Sequence, residues 1–260
     1  MNIPNSIITL TTDFGVRDGF PGAMHGVILS INPQARVVDL SHGISPGDIP
    51  HGAYILATVP PYFPAGTINV AVIDPGVGTS RKILAVKTDN QIYIAPDNGV
   101  LGYVLDHHPE AEVRYLDNPG LWLKNPSATF HGRDIMAPTA AHLSAGVAFH
   151  EVGLIANTWE PAPFPPPKKK GDRIHGHIIH VDHFGNLITN IPGETPGDLY
   201  VGKQRIADSG RTFGNGKLDE PIVLTGSSGW LEVAVNGGSA ALFLNSSVGD
   251  EISLHNANQP

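Results

Sequence analysis

Three short segments place proton-moving and ligand-holding side chains just beyond apolar runs. Thr11-Thr12-Asp13-Phe14-Gly15 sets a carboxylate past a β-branched stretch, and Val72-Ile73-Asp74-Pro75-Gly76-Val77-Gly78-Thr79-Ser80-Arg81 sets a carboxylate and a guanidinium about a glycine-rich turn. Asn125-Pro126-Ser127-Ala128-Thr129-Phe130-His131-Gly132-Arg133-Asp134 offers an imidazole ahead of a helical pattern. Carboxylate and imidazole side chains are common agents of general acid–base catalysis, and the Asp13 carboxylate can accept from both hydroxyls of a vicinal diol. Each residue also has a plain structural reading. Asp13 suits a helix cap, Arg81 can pair with Asp74 across an ordinary Pro-Gly turn, and His131 fits a cap or a surface position. As a phosphate loop the second segment is poor, because no lysine follows its glycines in Walker spacing. A metal set of Asp74, His131 and Asp134 lacks any HxH, HExxH or paired-carboxylate pattern, so no metal or other cofactor is expected.

The last third of the chain adds two more polar clusters. Val181-Asp182-His183-Phe184-Gly185-Asn186 reads either as a turn ending a strand or as a grip on a polar ligand, with Phe184 as an apolar wall. Thr225-Gly226-Ser227-Ser228-Gly229-Trp230-Leu231-Glu232-Val233-Ala234-Val235-Asn236-Gly237 reads either as a loop feeding an alternating strand or as hydroxyls and amides presented to a ligand.

The elements that must position these residues follow from apolar periodicity. Strands are expected at Ile7–Thr12, Ala35–Leu40 and Thr67–Ile73, with a hairpin of 82–88 and 91–95 about Asp89-Asn90. Helical spacing marks 20–32, 49–59 and 135–146. Alternation of this kind predicts an α/β domain, a mixed sheet flanked by helices. Five prolines between Trp159 and Asp172 stop any helix or central strand. They set domains at 1–160 and 173–260, with a Pro-rich linker at 161–172. Beyond it, short strands are expected at 174–181, 199–201, 203–207, 222–224, 231–235, 241–244 and 251–254, with nothing helical between them. An all-β barrel closes such strands naturally.

Composition narrows the classes. The chain has 260 residues, 41% of them apolar, which is enough for a buried core. It has no cysteine, which excludes disulfides, zinc–thiolate sites and thiol nucleophiles. Net charge is −8, and the sole cationic run, Lys168-Lys169-Lys170, reads as solvated linker, so nucleic acid is not an expected partner. No basic and apolar leader opens the sequence, and no stretch reaches the roughly 18 apolar residues of a membrane span. A soluble, cytoplasmic protein is expected.

Taken together, the motifs resemble the S-adenosylmethionine hydroxide adenosyltransferases, relatives of the adenosylmethionine fluorinase and chlorinase. The resemblance runs from TTDFGVRDGFPGAMHGVI through NPSATFHGRDIMAPTAAHL to DHFGNLITNI and LEVAVN, four separated motifs in order. It implies an enzyme that cleaves S-adenosyl-L-methionine with water to adenosine and methionine, and a homotrimer with active sites between one subunit's first domain and its neighbour's second. A catalytic triad then falls on Asp74, Arg81 and His131. The ribose carboxylate falls on Asp13, with Phe130 beside it. Asp182 and Ser227 hold the methionine end, Phe184 and Asn186 line the pocket, and the backbone at Asn236 and Gly237 meets the adenine. Ser228, Glu232 and Val235 complete the expected substrate set. The halogenating relatives carry tyrosines at the two positions aligned with this chain's Asp74 and His131 and an inserted loop that has no counterpart here. A halide needs no base, whereas water must lose a proton, so a titratable triad favours hydrolysis. A halogenase, a non-catalytic S-adenosylmethionine sensor and a metal-dependent hydrolase are the alternatives.

Overall fold

The computed structural model describes residues 6–206 and 208–255. The chain forms two compact units, Met1–Pro163 and Phe164–Pro260.

The first unit is a six-stranded mixed sheet. Its strands are β1 (Ile7–Thr12), β2 (Arg36–Ser41), β3 (Ile68–Val72), β4 (Ile83–Lys87), β5 (Ile92–Pro96) and β6 (Glu112–Tyr115). They lie in the order β2-β1-β3-β5-β4-β6. β2, β1, β3 and β5 run parallel, while β4 is antiparallel to both of its neighbours. The helices are α1 (Phe20–Ile31), α2 (Ile49–Thr58), α3 (Gly102–His107) and α4 (Ala137–Ser144). Central strands buried on both faces read as continuous apolar runs, as β3 does. Ile8, Leu10 and Val70 pack with Met24 and Ile28 of α1 and Ala140 and Ala141 of α4. On the opposite face, Ala71 and Ile73 pack with Ile55 and Leu56 of α2 and Val104 of α3. α3 and β6 had no clear signal in the sequence.

This topology makes a crevice. From β1 the chain passes through α1 to β2 on one side, then returns through α2 to β3 on the other. Where strand order reverses, the connections diverge above the carboxyl ends of β1 and β3 and leave room for a ligand. Asp13 follows β1 directly, and Asp74 lies just past β3. The turn after Asp74 closes with Val77 N–H donating to Asp74 O at 3.2 Å and Thr79 N–H to Gly76 O at 3.1 Å. Gly78 has φ +78°, and a Cβ there would stand 2.5 Å from the carbonyl oxygen of Ala128. This glycine therefore lets the Asp74–Arg81 turn press against the segment that carries His131. That segment enters α4 through a π-turn, Gly132–Met136. A Cβ on Gly132 would meet Val72 at 3.0 Å, so the small residue seats His131 close to the end of β3.

The second unit is an eight-stranded antiparallel sheet. It comprises β7 (Lys168–Lys170), β8 (Arg173–Val181), β9 (Leu187–Pro192), β10 (Asp198–Val201), β11 (Gln204–Ile206), β12 (Pro221–Thr225), β13 (Trp230–Val235) and β14 (Glu251–His255). The order is β11-β10-β14-β8-β9-β13-β12, with β7 added on β8. Ser209, shortly after β11, bridges to Val223 in β12, so the sheet is nearly closed and barrel-like. Ile178, Leu187, Leu199, Val233 and Ile252 fill its interior. The sequence thus predicted both architectures correctly, α/β first and all-β second. Ala207, the last residue of one expected strand, lies outside the described residues.

Two local expectations need correction. The strand expected at 241–244 is a helix, α5 (Ala240–Leu244), so a helical element does interrupt the β-unit. Ser239 caps it by accepting from Leu242 N–H, and Asn245 ends it in the left-handed region at φ 49°. A five-residue apolar run shows no period by which to tell helix from strand, and here the cap decides. The lysine run is not bare linker but the exposed edge strand β7, paired with residues 173–175. Charged side chains suit an edge because they discourage further pairing. Among the described residues no helix is long and apolar enough to cross a membrane.

Gly78→Ala should lower the stability of the chain by about 1–3 kcal/mol, the usual range for one strained backbone position, and impair the chemistry that needs the turn. Chemical denaturation of the variant beside the wild type checks this, and equal midpoints would contradict it.

Candidate active site

In the first unit Asp74, Arg81 and His131 form one connected group. Arg81 Nε donates to Asp74 Oδ1 at 2.9 Å and to Oδ2 at 3.0 Å, and its Nη2 also bonds Oδ2. The same Nη2 lies 2.8 Å from His131 Nδ1. The plain reading of an Asp74–Arg81 pair is therefore realised, but the fork extends further to the imidazole. Both ionic side chains are largely withdrawn from solvent, with Asp74 at 4% and Arg81 at 11% side-chain exposure. Burial holds the imidazolium of His131 below the ordinary histidine range, and the Arg81 cation adds to this, against the opposing pull of Asp74 and Asp134. An arginine cannot accept a hydrogen bond, so the contact fixes Nδ1 as the acceptor and places the proton of the neutral ring on Nε2.

Neighbouring residues hold the group in place. Asn98 Nδ2 donates to Ile73 O at 2.9 Å, which anchors the chain just before Asp74. Asp134, 2% exposed, is not aimed at His131 as a co-ligand. Its oxygens accept Arg133 Nε at 2.6 Å, Arg133 Nη2 at 2.9 Å and Ser127 N–H at 2.8 Å. Burial would raise its pKa, but the Arg133 and Ser127 bonds outweigh that and lower it. The pair closes the Ser127–Asp134 loop around His131. Among the described residues no group of three or more His, Asp or Glu side chains could hold a metal ion. Asn98 and the closing role of Asp134 escaped sequence reasoning, because nothing local in sequence links either of them to its partner.

Asp13 is not a helix cap, since α1 begins only at Phe20 and Gly19 precedes it. Its Oδ2 accepts Gly47 N–H at 2.8 Å from the loop after β2. Phe130 meets Phe14 and Phe20 edge to face, each at 5.5 Å between centroids, and Arg133 lies 4.9 Å over its ring. The carboxylate Asp13, the aromatic cluster and the triad thus share the carboxyl end of the sheet.

The remaining candidates group in the second unit. Asp182 organises the β8–β9 turn: Oδ1 accepts Phe184 N–H and Asn186 N–H, each at 2.9 Å, and Oδ2 accepts Asn186 Nδ2 at 2.8 Å. That places Asn186 inside, while Phe184 stands 74% exposed. Glu232, on β13 opposite Ile188 of β9, is buried. Burial pushes its carboxyl up to about 6, helped by the nearby Asp182 charge. Ser227 and Ser228 occupy the β12–β13 turn, closed by Gly229 N–H to Gly226 O at 3.0 Å. Val235 is buried at the end of β13, and Gly237 follows with φ +83°. Ser227 and Ser228 thus precede β13, Glu232 lies within it and Gly237 follows it, while Asp182 and Asn186 sit in the turn before β9.

Two family models match the chain, one in each unit. The model of the SAM hydroxide adenosyltransferase N-terminal domain matches residues 8–153, and that of the C-terminal domain matches residues 176–253. A protein of Salinispora arenicola named (R)-S-adenosyl-L-methionine hydrolase is 39% identical, covering 94% of this chain and 96% of its own. A fluorinase of Actinoplanes sp. is 29% identical over 97% of this chain and 98% of its own. The crystal structure of an uncharacterized conserved protein from Thermotoga maritima superposes with a TM-score of 0.86 at 37% identity, covering 95% of this chain and 99% of that one. With both domain models matched in order and a relative 39% identical over nearly the whole chain, the chain belongs to the SAM hydroxide adenosyltransferase family.

Proposed function

We propose that this chain is an S-adenosyl-L-methionine hydrolase that releases adenosine and L-methionine by attack of water at C5′ of the ribose. The observation that carries the reading is the Arg81 fork joining Asp74 to His131 at the strand-order switch of a family member. The substrate is a sulfonium, so C5′ is already electrophilic and methionine leaves as a neutral thioether. Neither an acid for the leaving group nor a metal is required. What the protein must supply is an oxygen nucleophile in line with the C5′–S bond.

Asp74, Arg81 and His131 have distinct parts in that task. Neutral His131 accepts from Arg81 and so holds the guanidinium in line, and Arg81 favours hydroxide character in an adjacent water. With Nδ1 occupied and Nε2 protonated, His131 takes a proton only after Arg81 releases it. Asp74 takes it with its hydrogen bonds to Arg81 left in place, giving up only the charge opposite Arg81, so the proton of water passes first to Asp74. General-base assistance of this type supplies about 10²–10⁴-fold, and positioning can supply a further 7–11 kcal/mol or so. Hydroxide meeting a sulfonium destroys charge, which a water-poor pocket favours.

Asp13 receives the ribose hydroxyls, with Phe130 beside it. Asp182, Ser227, Ser228 and Glu232 receive the amino-acid end. Phe184 and Asn186 line the pocket, and Val235 and the backbone at Gly237 meet the adenine. The family resemblance supports a cytoplasmic homotrimer in which each site draws on the first unit of one subunit and the second unit of its neighbour.

Incubation with S-adenosyl-L-methionine and chromatography of the products tests the reading. Equal amounts of adenosine and methionine are expected, unchanged by added chloride or fluoride. Unaltered substrate, or a 5′-halo nucleoside, would overturn it. Asp74→Asn should lower kcat by about 10²–10⁴-fold with little change in KM. His131→Asn, which keeps an acceptor for Arg81 without a titratable ring, should retain far more turnover than Asp74→Asn; an equal loss would make His131 the base.

The pH profile separates the two acidic limbs. Protonation of His131 removes the acceptor and sets two cations together, so kcat should fall as pH drops through a midpoint below the ordinary histidine value of 6.5. Glu232 is anionic only above about pH 6, so KM should rise as pH falls through that value. In Glu232→Gln the KM rise should vanish while the kcat limb stays.

A further inference from the structure

We propose that His42 is a positioning residue for ribose recognition, setting the Asp13 carboxylate through the buried contact between His42 and Thr12. The inference deepens the functional reading above and rests on its assignment of Asp13 to the ribose hydroxyls.

Three contacts tie the β1 exit to the loop after β2, and a fourth braces the exit itself. Thr12 has no exposed surface, and its Oγ1 lies 2.8 Å from Nδ1 of His42, itself 8% exposed. The same Oγ1 accepts Phe14 N–H at 3.3 Å. Gly15 N–H donates to His42 O at 2.8 Å, and Gly47 N–H reaches Asp13 Oδ2 at 2.8 Å. His42 therefore grips the 12–15 turn twice, once through its ring and once through its backbone. Asp13 sits in this turn between Thr12 and Phe14, which the Thr12 hydroxyl ties together, so fixing Thr12 and Gly15 through His42 fixes the backbone that carries the Asp13 carboxylate.

A carboxylate stands behind the ring. Asp39 Oδ1 lies 3.1 Å from His42 Nε2 and 2.8 Å from His25 Nε2 on α1. Phe14 N–H donates to Thr12 Oγ1, so the buried hydroxyl proton has His42 Nδ1 as its acceptor, which leaves the ring proton on Nε2, near Asp39 but without hydrogen-bond geometry to it. Carboxylate, imidazole and hydroxyl stand here in the order of a nucleophilic triad. Thr12 is fully buried, however, so no substrate reaches its oxygen. What the chain of contacts can do is hold the turn.

The test measures kcat and KM of the full-length wild type and of His42→Ala and His42→Asn with two substrates, S-adenosyl-L-methionine and its 2′-deoxyribose analogue. The wild type should prefer the ribose substrate in kcat/KM. In His42→Ala that preference should shrink by about tenfold, the scale of one hydrogen bond to a charged group, through a raised KM for the ribose substrate. His42→Asn, which restores an acceptor near the Nδ1 position, should recover much of the preference. A merely structural role would lower both substrates alike and leave the ratio intact, which would overturn the proposal, as would an Asn variant no better than Ala. If His42→Ala does not fold, Asp39→Ala, whose side chain is 43% exposed, replaces it. A smaller drop in the same ratio supports the proposal, and an unchanged ratio overturns it. A wild type that hydrolyses both substrates equally overturns the ribose role of Asp13 and this proposal together, leaving the hydrolase reading standing. A wild type that turns over neither substrate overturns the hydrolase reading itself.

Discussion

Arg81 donates through a rigid planar fork and accepts nothing, and in this chain that fork is shared between a carboxylate and an imidazole. A buried arginine needs a partner of opposite charge, which Asp74 supplies. The remaining donor then dictates the state of His131, which must be neutral with its Nδ1 lone pair free. Much of what surrounds the group serves that arrangement. Asn98 holds the chain before Asp74, Gly78 allows the turn to meet Ala128, and Asp134 with Arg133 closes the loop that brings His131 in.

The crevice itself comes from strand order rather than from any single residue. Because β1 and β3 are neighbours whose following connections leave in opposite directions, their carboxyl ends form the switch point at which open α/β sheets place ligands. Asp13 and Asp74 are each placed by the strand they follow, on a sheet whose two faces are packed by α1 with α4 and by α2 with α3. A rigid base of this kind can hold a nucleophile in line without paying for much reorganisation. In the proposed function the amino-acid end and the base fall to the β-unit, which carries Asp182 in one turn, Ser227 and Ser228 in another and Glu232 on β13.

Sequence reasoning reached the architecture through its strongest local signals. The β-branched run of β1, the apolar β3 and the hairpin of β4 and β5 all declared themselves. It failed at α5, where five apolar residues carry no usable period and Ser239 and Asn245 decide the outcome. It also missed α3 and β6, which are short and flanked by histidines and charged residues, and β9, whose start it read as part of a polar turn. Asp74 and Arg81 were legible as a pair seven residues apart, but their union with a histidine fifty residues further on depends on the tertiary fold. The same holds for Thr12 and His42, which are thirty residues apart at the ends of β1 and β2 and which no motif links. Only the resemblance of four ordered motifs joined the triad before the fold did.

The central claim is that water, activated at the Asp74–Arg81–His131 group, attacks C5′ of the ribose. Turnover in ¹⁸O-labelled water followed by mass spectrometry of both products tests it most directly. The account predicts one ¹⁸O atom in the 5′-hydroxyl of adenosine and none in methionine. Label in methionine, or adenosine formed without label, would contradict it.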